Sequence, residues 1–414
     1  MASLYVQKIW EKIIFYTCNT LPDMSDFNLE SNEKEHIRSS EEIQLHTCRN
    51  KIELYEKTLT NGKNWEYYKK IVNPYEIVYT QKKYDNFPDS VCTLKPLSRS
   101  YFKMIEILDL IHFFDIKLDV IRTAHVCEGP GGFIEALYDQ VNKHNKQIDK
   151  TIAMTLRPYK NNIPGWRRAN YFLKKNKNII IIYGEDNTGN ILKPENQQSY
   201  IDYTLESANN KVNIFTADGG FDFSYDYTKQ EQMVFPLLIA SVKIGFEVVE
   251  IGGVFILKII DFYNKVTVDL LYFLSCHFEQ WTLYKPYMSR PCNPEQYFIG
   301  KGFVGCSDET LDILRIWCSI IENQQSLDSL FMNDYSDEFK NIISNIRENS
   351  FKSQIEYLEK VFRIIDKNDN DLINSNLKNN EKSSYEWCVR FNVPIYEKYL
   401  AEASHSGQPV FFQQ

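Results

Sequence analysis

The sequence holds no C-x-x-C pair and no group of Cys and His at metal-ligand spacing, although nine cysteines are scattered through its 414 residues. An odd, unpatterned set of thiols excludes a disulfide framework and predicts free cysteines in a reducing compartment. No uninterrupted apolar run approaches transmembrane length, and Lys8, Glu11 and Lys12 interrupt the apolar character a secretory leader needs. No membrane association and a soluble, cytoplasmic protein are the expectation. Positive charge is not in excess: a formal net charge of -8 argues against a broadly basic nucleic-acid surface and leaves a local basic groove open. The glycine cluster Gly129-Pro-Gly-Gly132 lacks the dinucleotide spacing G-x-G-x-x-G. What is present is a content of 43% apolar and 14% aromatic residues, enough for one large domain with extensions or for two domains.

The chain is organised around His125-Val-Cys-Glu-Gly-Pro-Gly-Gly-Phe-Ile-Glu135. Before it, Leu118 to Cys127 is strand-compatible, with Val120, Ile121 and Val126 supplying β-branched side chains. After it, Phe133, Ile134, Ala136, Leu137 and Val141 recur at helical spacing, which sets the glycines at a strand-to-helix turn. Gly129, Gly131 and Gly132 let backbone approach a ligand, and Glu128 at the strand end can hold a hydroxyl or a positive group. A nucleotide-like cofactor site fits this outline; so does a tight loop.

In chain order, Leu4 to Tyr16 predicts a short amphipathic helix, and Ser25 to Ser40 is polar. Residues 1–70 read as a packing extension. A turn at Asn73-Pro-Tyr-Glu76 precedes a helix that opens near Ser98 and runs toward Phe114, with Lys103, a residue type usually solvated, in its second turn. Strands are predicted at Thr151–Leu156 and Asn178–Tyr183, with Trp166 to Lys174 helical between them, which implies a parallel sheet with helices on both faces. The polar loop Gly184 to Ile191 then follows a strand end, where ligands bind in such sheets. The strand Val212–Ala217 delivers Asp218-Gly-Gly220 to the same rim. A helix from about Lys229 to Val248, a Gly252-Gly253 turn and the strand Val254–Ile260 come next. Lys258 lies inside that apolar strand, where burial demands a carboxylate partner or a task unless its stem snorkels to water. Leu270 to Cys276 reads as helix, Phe278 to Tyr284 as strand, and Ser289 to Gly300 as a loop entering a last strand that begins near Glu295. Residues 308–367 are helical by pattern, and Asn368 to Ser384 has the composition of a surface loop.

Lys103, Asp218, Lys258 and Glu295 thus fall in order near one strand-end face. This set resembles the FtsJ-like ribose 2′-O-methyltransferases, and among them the eukaryotic cap-specific mRNA enzymes. The likeness covers roughly residues 70–305 and rests on Asn73-Pro-Tyr-Glu76, the Cys127 to Phe133 turn, Lys193-Pro-Glu-Asn196, Ala217-Asp-Gly-Gly-Phe221, Gly252-Gly-Val-Phe-Ile-Leu-Lys258 and Ser289-Arg-Pro-Cys-Asn-Pro-Glu-Gln-Tyr297. It implies a Rossmann-like α/β methyltransferase domain over 71–305, with extensions over 1–70 and 306–414, the latter helical. It implies S-adenosyl-L-methionine as cofactor, held by Ser98, Glu128, Gly129, Pro130, Gly131, Gly132, Phe133, Thr155, Leu156, Asn190, Ile191 and Asp218. Two positions depart from the family: Asn190 stands where an acidic residue is found, and Ser98 where Asn is common. The substrate implied is the capped 5′ end of mRNA, contacted by Asn73, Tyr75, Thr228, Lys229, Gln230 and Asn293, with other capping or transcription factors as further partners and no metal. The Asn-, Lys- and Ile-rich composition, without the flanking modules of the cellular enzymes, suggests a large cytoplasmic DNA virus and hence the host cytoplasm.

By the same resemblance Lys258 takes the proton of the 2′-hydroxyl and Lys103 orients it, while Asp218 positions Lys258, and Glu295 holds Lys103 or the ribose. A free lysine, with a pKa of about 10.4, is protonated at neutral pH. Desolvation, Lys103 and the sulfonium must therefore outweigh Asp218 and Glu295 for Lys258 to act as a base. Single-stranded RNA would lie in a local basic groove for which Arg157, Arg167 and Arg168 are candidates. Two other readings stay open: a non-catalytic RNA-binding scaffold that keeps the fold, and a ribose methyltransferase for uncapped or ribosomal RNA.

Overall fold

The structure, a computed structural model, describes residues 13–33, 38–59, 63–80, 87–115, 117–159, 163–207, 211–220 and 229–399. Eight strands in these residues form one sheet: β1 (Tyr16–Thr17), β2 (Val120–Val126), β3 (Gln147–Met154), β4 (Ile179–Ile182), β5 (Val212–Ala217), β6 (Val249–Ile260), β7 (Phe278–Tyr284) and β8 (Glu295–Phe303). Their order is β1-β7-β8-β6-β5-β2-β3-β4. From β4 to β6 every pairing is parallel, whereas β8 runs antiparallel to both β6 and β7. The expected parallel sheet therefore carries a reversed strand. All six residues of β5 are buried, so both of its faces are covered, as in helix-flanked α/β sheets.

The direction of travel reverses between β2 and β5. β2, β3 and β4 step one way across the sheet, and β5 and β6 the other, which opens a crevice at the ends of β2 and β5. The glycine turn ends β2, and Asp218 ends β5.

Several elements differ from the sequence reading, each for a local reason. Residues 4–12 of the expected N-terminal helix lie outside the described residues, and Tyr16–Thr17 pairs with β7 as a strand. Gly252 and Gly253 are no separate turn; they lie within β6, where the pairing with β5 shifts register and Gly252 takes φ +81°. That is a bulge, the other structure glycines make inside strands. The helical stretch 308–367 is two helices, Asp308–Glu322 and Asp337–Lys367. The expected loop at 368–384 is wrong: Asn370–Arg390 is a helix. Its buried residues Ile373, Leu377, Asn380, Ser384 and Trp387 recur at helical spacing among polar neighbours, and Asp369 caps it by accepting from the Asp371 and Leu372 N–H groups.

The chain divides into two compact units. One comprises Met1–Arg38, Phe114–Lys285 and Glu295–Glu348, and holds the sheet; the other comprises Ser39–Phe113, Pro286–Pro294 and Asn349–Gln414. Internal ties of the second unit centre on carboxylates. Arg290 grips Glu76 with two hydrogen bonds of 2.9 Å, and Glu106 accepts from the backbone N–H groups of Tyr287 and Met288 and from the Trp387 indole.

Candidate active site

The turn after β2 is built for close approach. Gly131 sits at φ +105°, a conformation costly for any side chain, and its N–H returns to the Glu128 carbonyl before the helix Gly132–Lys143 begins. The Gly129 N–H donates to Thr155 Oγ1 at 3.3 Å, tying the turn to the residue after β3. Leu156 follows Thr155 and is half-buried. Phe133 is buried against the Tyr297 ring, with centroids 5.7 Å apart.

Beneath the turn runs a buried polar chain that no local pattern announces. His125 Nδ1 meets Thr216 Oγ1 at 2.8 Å, and its Nε2 meets Thr123 Oγ1 at 2.9 Å. Burial pulls the imidazole down to about 3, so it is neutral. The Thr216 hydroxyl donates to Glu128 Oε1. Glu128 Oε2 is buried with no hydrogen-bond partner among the described residues. Burial, and next the charge of Asp218, push the Glu128 carboxyl well above the ordinary carboxylate range.

The loop after β4 is organised by Asp186. Its carboxylate takes hydrogen bonds from Lys193 Nζ (2.6 Å), the Thr188 hydroxyl (2.7 Å) and Asn196 Nδ2 (2.8 Å), which hold it well below the usual range. Asn190 is half-buried and its Oδ1 accepts the Leu192 N–H at 3.1 Å, while Ile191 is part of the core. Asn190 therefore shapes its own turn. Asp186 escaped the sequence reading, although Lys193-Pro-Glu-Asn196 contains two of its partners.

Register brings the charged residues together. Ala217 pairs with Val126 on one side and Leu257 on the other, so Asp218 emerges between the glycine turn and Lys258. Lys258 pairs with Tyr297, and Ile260 with Glu295. Lys258 Nζ donates to the Asp218 carbonyl at 2.8 Å and lies 3.2 Å from Asp218 Oδ1, which also accepts the Tyr297 hydroxyl at 2.8 Å. A Cβ on Gly220 would come within 3.2 Å of Lys258 Nζ, so any side chain there would nudge the amine. Burial is the largest influence on Lys258 and lowers its pKa, but Asp218, Glu295 and Glu128 together outweigh it and leave the pKa raised. Within this unit the carboxylates win, and Lys258 is an ammonium. Glu231 fixes the loop beyond the lysine strand by accepting from the Tyr263 N–H (3.2 Å) and the Asn264 N–H (2.9 Å).

Other expected site residues fall elsewhere. Thr228 lies outside the described residues, Lys229 is exposed just before the helix Gln230–Val248, and Gln230 is buried at its first position. Ser98, Lys103, Asn73, Tyr75 and Asn293 belong to the second unit. Lys103 is half-buried on the helix Ser100–Leu110, and the Ser98 and Ser100 hydroxyls lie 2.6 Å apart at its start. Asn73 is buried; its Nδ2 donates to Glu76 at 2.7 Å, and its Oδ1 accepts the Tyr75 N–H at 3.3 Å. The Asn293 N–H closes a turn onto the Arg290 carbonyl.

A doubly wound sheet with a glycine turn at its switch point and a lysine–carboxylate cluster one strand away defines an α/β domain that binds a nucleotide-like cofactor. The FtsJ-like methyltransferase family matches residues 96–303. Over 223 residues the chain is 31% identical to cap-specific mRNA (nucleoside-2′-O-)-methyltransferase 1 of Dictyostelium discoideum, covering 50% of this chain and 29% of that protein. The proteins of the same name from Bos taurus and Homo sapiens are 32% and 31% identical over 204 residues, covering 48% of this chain and 24% of each. The matched stretch spans less than a third of the length of these relatives. A solved Plasmodium falciparum structure described as a ribosomal RNA methyltransferase is 20% identical, with a TM-score of 0.36 over 51% of this chain and 100% of that one.

The chain belongs to the FtsJ-like methyltransferases. S-adenosylmethionine is the cofactor of this class, and the turn suits it: Gly131 keeps the turn free of a side chain at φ +105°, and the buried Glu128 Oε2 offers a polar oxygen to a ligand's hydroxyl or ammonium.

Proposed function

We propose that the protein transfers a methyl group from S-adenosylmethionine to the ribose 2′-oxygen of the nucleotide next to the cap of mRNA. The observation that carries the chemistry is Lys258, largely withdrawn from water near the end of β6, with its Nζ held by Asp218 and flanked by Glu295. The cap substrate is supported by the identity to relatives named as cap-specific mRNA 2′-O-methyltransferases.

The bound cofactor supplies an electrophilic methyl on a sulfonium. What the chain must supply is orientation of a weakly acidic hydroxyl and a destination for its proton. Two acceptors fix Lys258 Nζ at the Asp218 carbonyl and Oδ1, which leaves one of its three N–H directions for the 2′-oxygen. Lys258 first orients that oxygen as a donor. It takes the proton only as the neutral amine, after its own proton has passed to solvent, and because its pKa is raised that form becomes available only as the pH rises. The Tyr297 hydroxyl donates to the same Asp218 Oδ1 and helps to hold the carboxylate beside the ammonium. In this reading Lys103 orients the hydroxyl, and Asn293 contacts RNA.

The test is methyl transfer from labelled cofactor to short RNAs, capped and uncapped, by the wild-type chain and by Lys258→Ala. Transfer to the capped RNA alone, abolished in the variant, is expected. Equal transfer to uncapped RNA would overturn the cap assignment, and full turnover by Lys258→Ala the role of the lysine. A chain that binds the cofactor and transfers nothing would be the scaffold.

A further inference from the structure

Several cations at or near the surface of this protein are paired. Lys57 lies 2.7 Å from Glu53, Lys193 2.6 Å from Asp186, Lys340 2.6 Å from Asp334, Lys360 2.8 Å from Glu356 and Arg315 2.7 Å from Asp312. One stretch concentrates positive charge with no acidic residue inside it. From Lys150 to Gly184, across the connection between β3 and β4, the sequence has eight Lys and Arg residues and no Asp or Glu, in a chain with net charge -8. Arg167, Arg168, Lys174, Lys175 and Lys177 are all exposed, and none forms an ion pair with a described residue.

Local structure puts most of these charges on one side. Arg167–Ala169 is a turn of 3-10 helix that runs directly into the helix Asn170–Lys175. Ala169 is buried and Phe172 packs edge-on against Tyr138, at 5.5 Å between centroids, which fixes the inward side. Arg167, Tyr171 and Lys175 recur four residues apart, with Arg168 and Lys174 three residues from Tyr171, on the outward side. Tyr171 is 82% exposed in the middle of this stripe. A tyrosine ring held in water by a short helix and ringed by unpaired cations gains nothing from its own fold. Cations tracking phosphates, with an aromatic face for a base to stack on, are the two elements of a single-strand binding surface.

We propose that the stripe Arg167, Arg168, Tyr171, Lys174, Lys175 and Lys177 binds the single-stranded RNA that extends beyond the reactive nucleotide, through its phosphates and one stacked base. This rests on the reading of the protein as an RNA ribose methyltransferase and adds a second contact region to it. Four strand spacings of about 4.8 Å, roughly 19 Å in all, separate β4 from β6 and Lys258. RNA must cross a width of that order to touch the stripe from Lys258, which a longer strand does and a capped dinucleotide, with one nucleotide beyond the reactive one, does not. Affinity should therefore depend on RNA length, and each phosphate contact should add about 0.7 to the slope of log affinity against log salt.

The experiment uses the full chain and a charge-reversed variant, Arg167→Glu with Arg168→Glu, Lys174→Glu and Lys175→Glu, and a second variant with the four residues as Ala. Binding of a fluorescent single strand of about twenty nucleotides is measured by anisotropy over a salt series, alongside methyl transfer to that RNA with a cap and to a capped dinucleotide. Charge reversal should weaken long-RNA binding about tenfold or more and flatten the salt slope, with the Ala variant between the two. Turnover of the capped dinucleotide and cofactor binding should not change. Tyr171→Ala should weaken long-RNA binding about fivefold, and Tyr171→Phe should restore it. Unchanged long-RNA binding in the charge-reversed chain would overturn the proposal, as would an equal loss on the dinucleotide. So would binding of the stripe to anionic vesicles or an acidic peptide in preference to RNA. Because anisotropy needs neither cap nor turnover, the stripe stands or falls separately from the cap methyltransferase reading.

Discussion

Lys258 with Asp218 and Glu128 in one unit, and Arg290 with Glu76 in the other, are both opposite charges withdrawn from water, yet they are finished differently. Every oxygen of Glu76 is matched: Oε1 accepts from Arg290 Nη2, and Oε2 from Arg290 Nε and Asn73 Nδ2. Arg99 adds a fourth contact, the third from a cation, at 3.7 Å, and its own N–H groups are taken by the carbonyls of Tyr75, Tyr79 and Met288. Burial alone would raise the Glu76 pKa, but Arg99 and Arg290 overcome it and bring it to about 2. The lysine cluster is left open. Glu128 keeps a buried oxygen without a partner among the described residues, and Lys258 keeps a donor direction in hand. A saturated buried ion pair locks a fold, whereas an unsaturated one holds unmet hydrogen-bonding capacity where a ligand can meet it.

The comparison breaks most visibly at Lys258. If the open cluster is the reactive one, Lys258→Ala should cut methyl transfer by about 10²–10⁴-fold, measured with labelled cofactor, while the thermal transition moves little. Glu76→Gln should do the opposite. It removes a carboxylate that two arginines face, and a loss of about 3–5 kcal/mol in urea unfolding is expected, with cofactor binding kept by whatever remains folded. The pH dependence follows from the depressed pKa. Glu76 contributes stability that is present above its unfolded value near 4.3 and is lost as the pH falls through about 2. Wild-type stability should fall by about 3 kcal/mol more than that of Glu76→Gln between pH 5 and pH 2.

How far this contrast could be read from the sequence depends on how local each feature is. Val212–Ala217 and Phe278–Tyr284 match the predicted strands residue for residue, because a run of β-branched and aromatic residues bounded by polar ones carries its own signal. Lys258 in an apolar strand and Asp218 before two glycines were legible for the same reason, and register placed them together. The helix Asn370–Arg390 was not legible, since its Asn and Lys content looks like a loop and only a few buried residues at helical spacing reveal it. Arg290 reaches across 214 residues to Glu76, and Tyr297 across 79 to Asp218. All four residues lie in motifs that had been singled out, but pairing them needed the fold.

A smaller effect sharpens the account of the lysine. Asp218→Asn removes the strongest of the influences that raise the Lys258 pKa, so burial should prevail and the acid limb of the pH–rate profile should move to lower pH. The maximal rate should fall by about tenfold, because the amide holds Nζ less firmly. A limb that stays in place would mean that the ionisation controlling the rate belongs to another group.

The smallest expected effect is at Tyr297, and it separates geometry from charge. The phenol is neutral, since burial and then Asp218 hold its pKa well above the usual value, and it donates to the same Oδ1 that faces Lys258. Tyr297→Phe leaves every formal charge in place and removes one hydrogen bond, worth about 1.5–3 kcal/mol to a charged acceptor. Oδ1 then has only Lys258 to bind and holds the ammonium more tightly, so the acid limb should move slightly upward, opposite to Asp218→Asn, with the rate below it reduced severalfold. A downward shift would show that the phenol acts on Lys258 by some route other than Asp218.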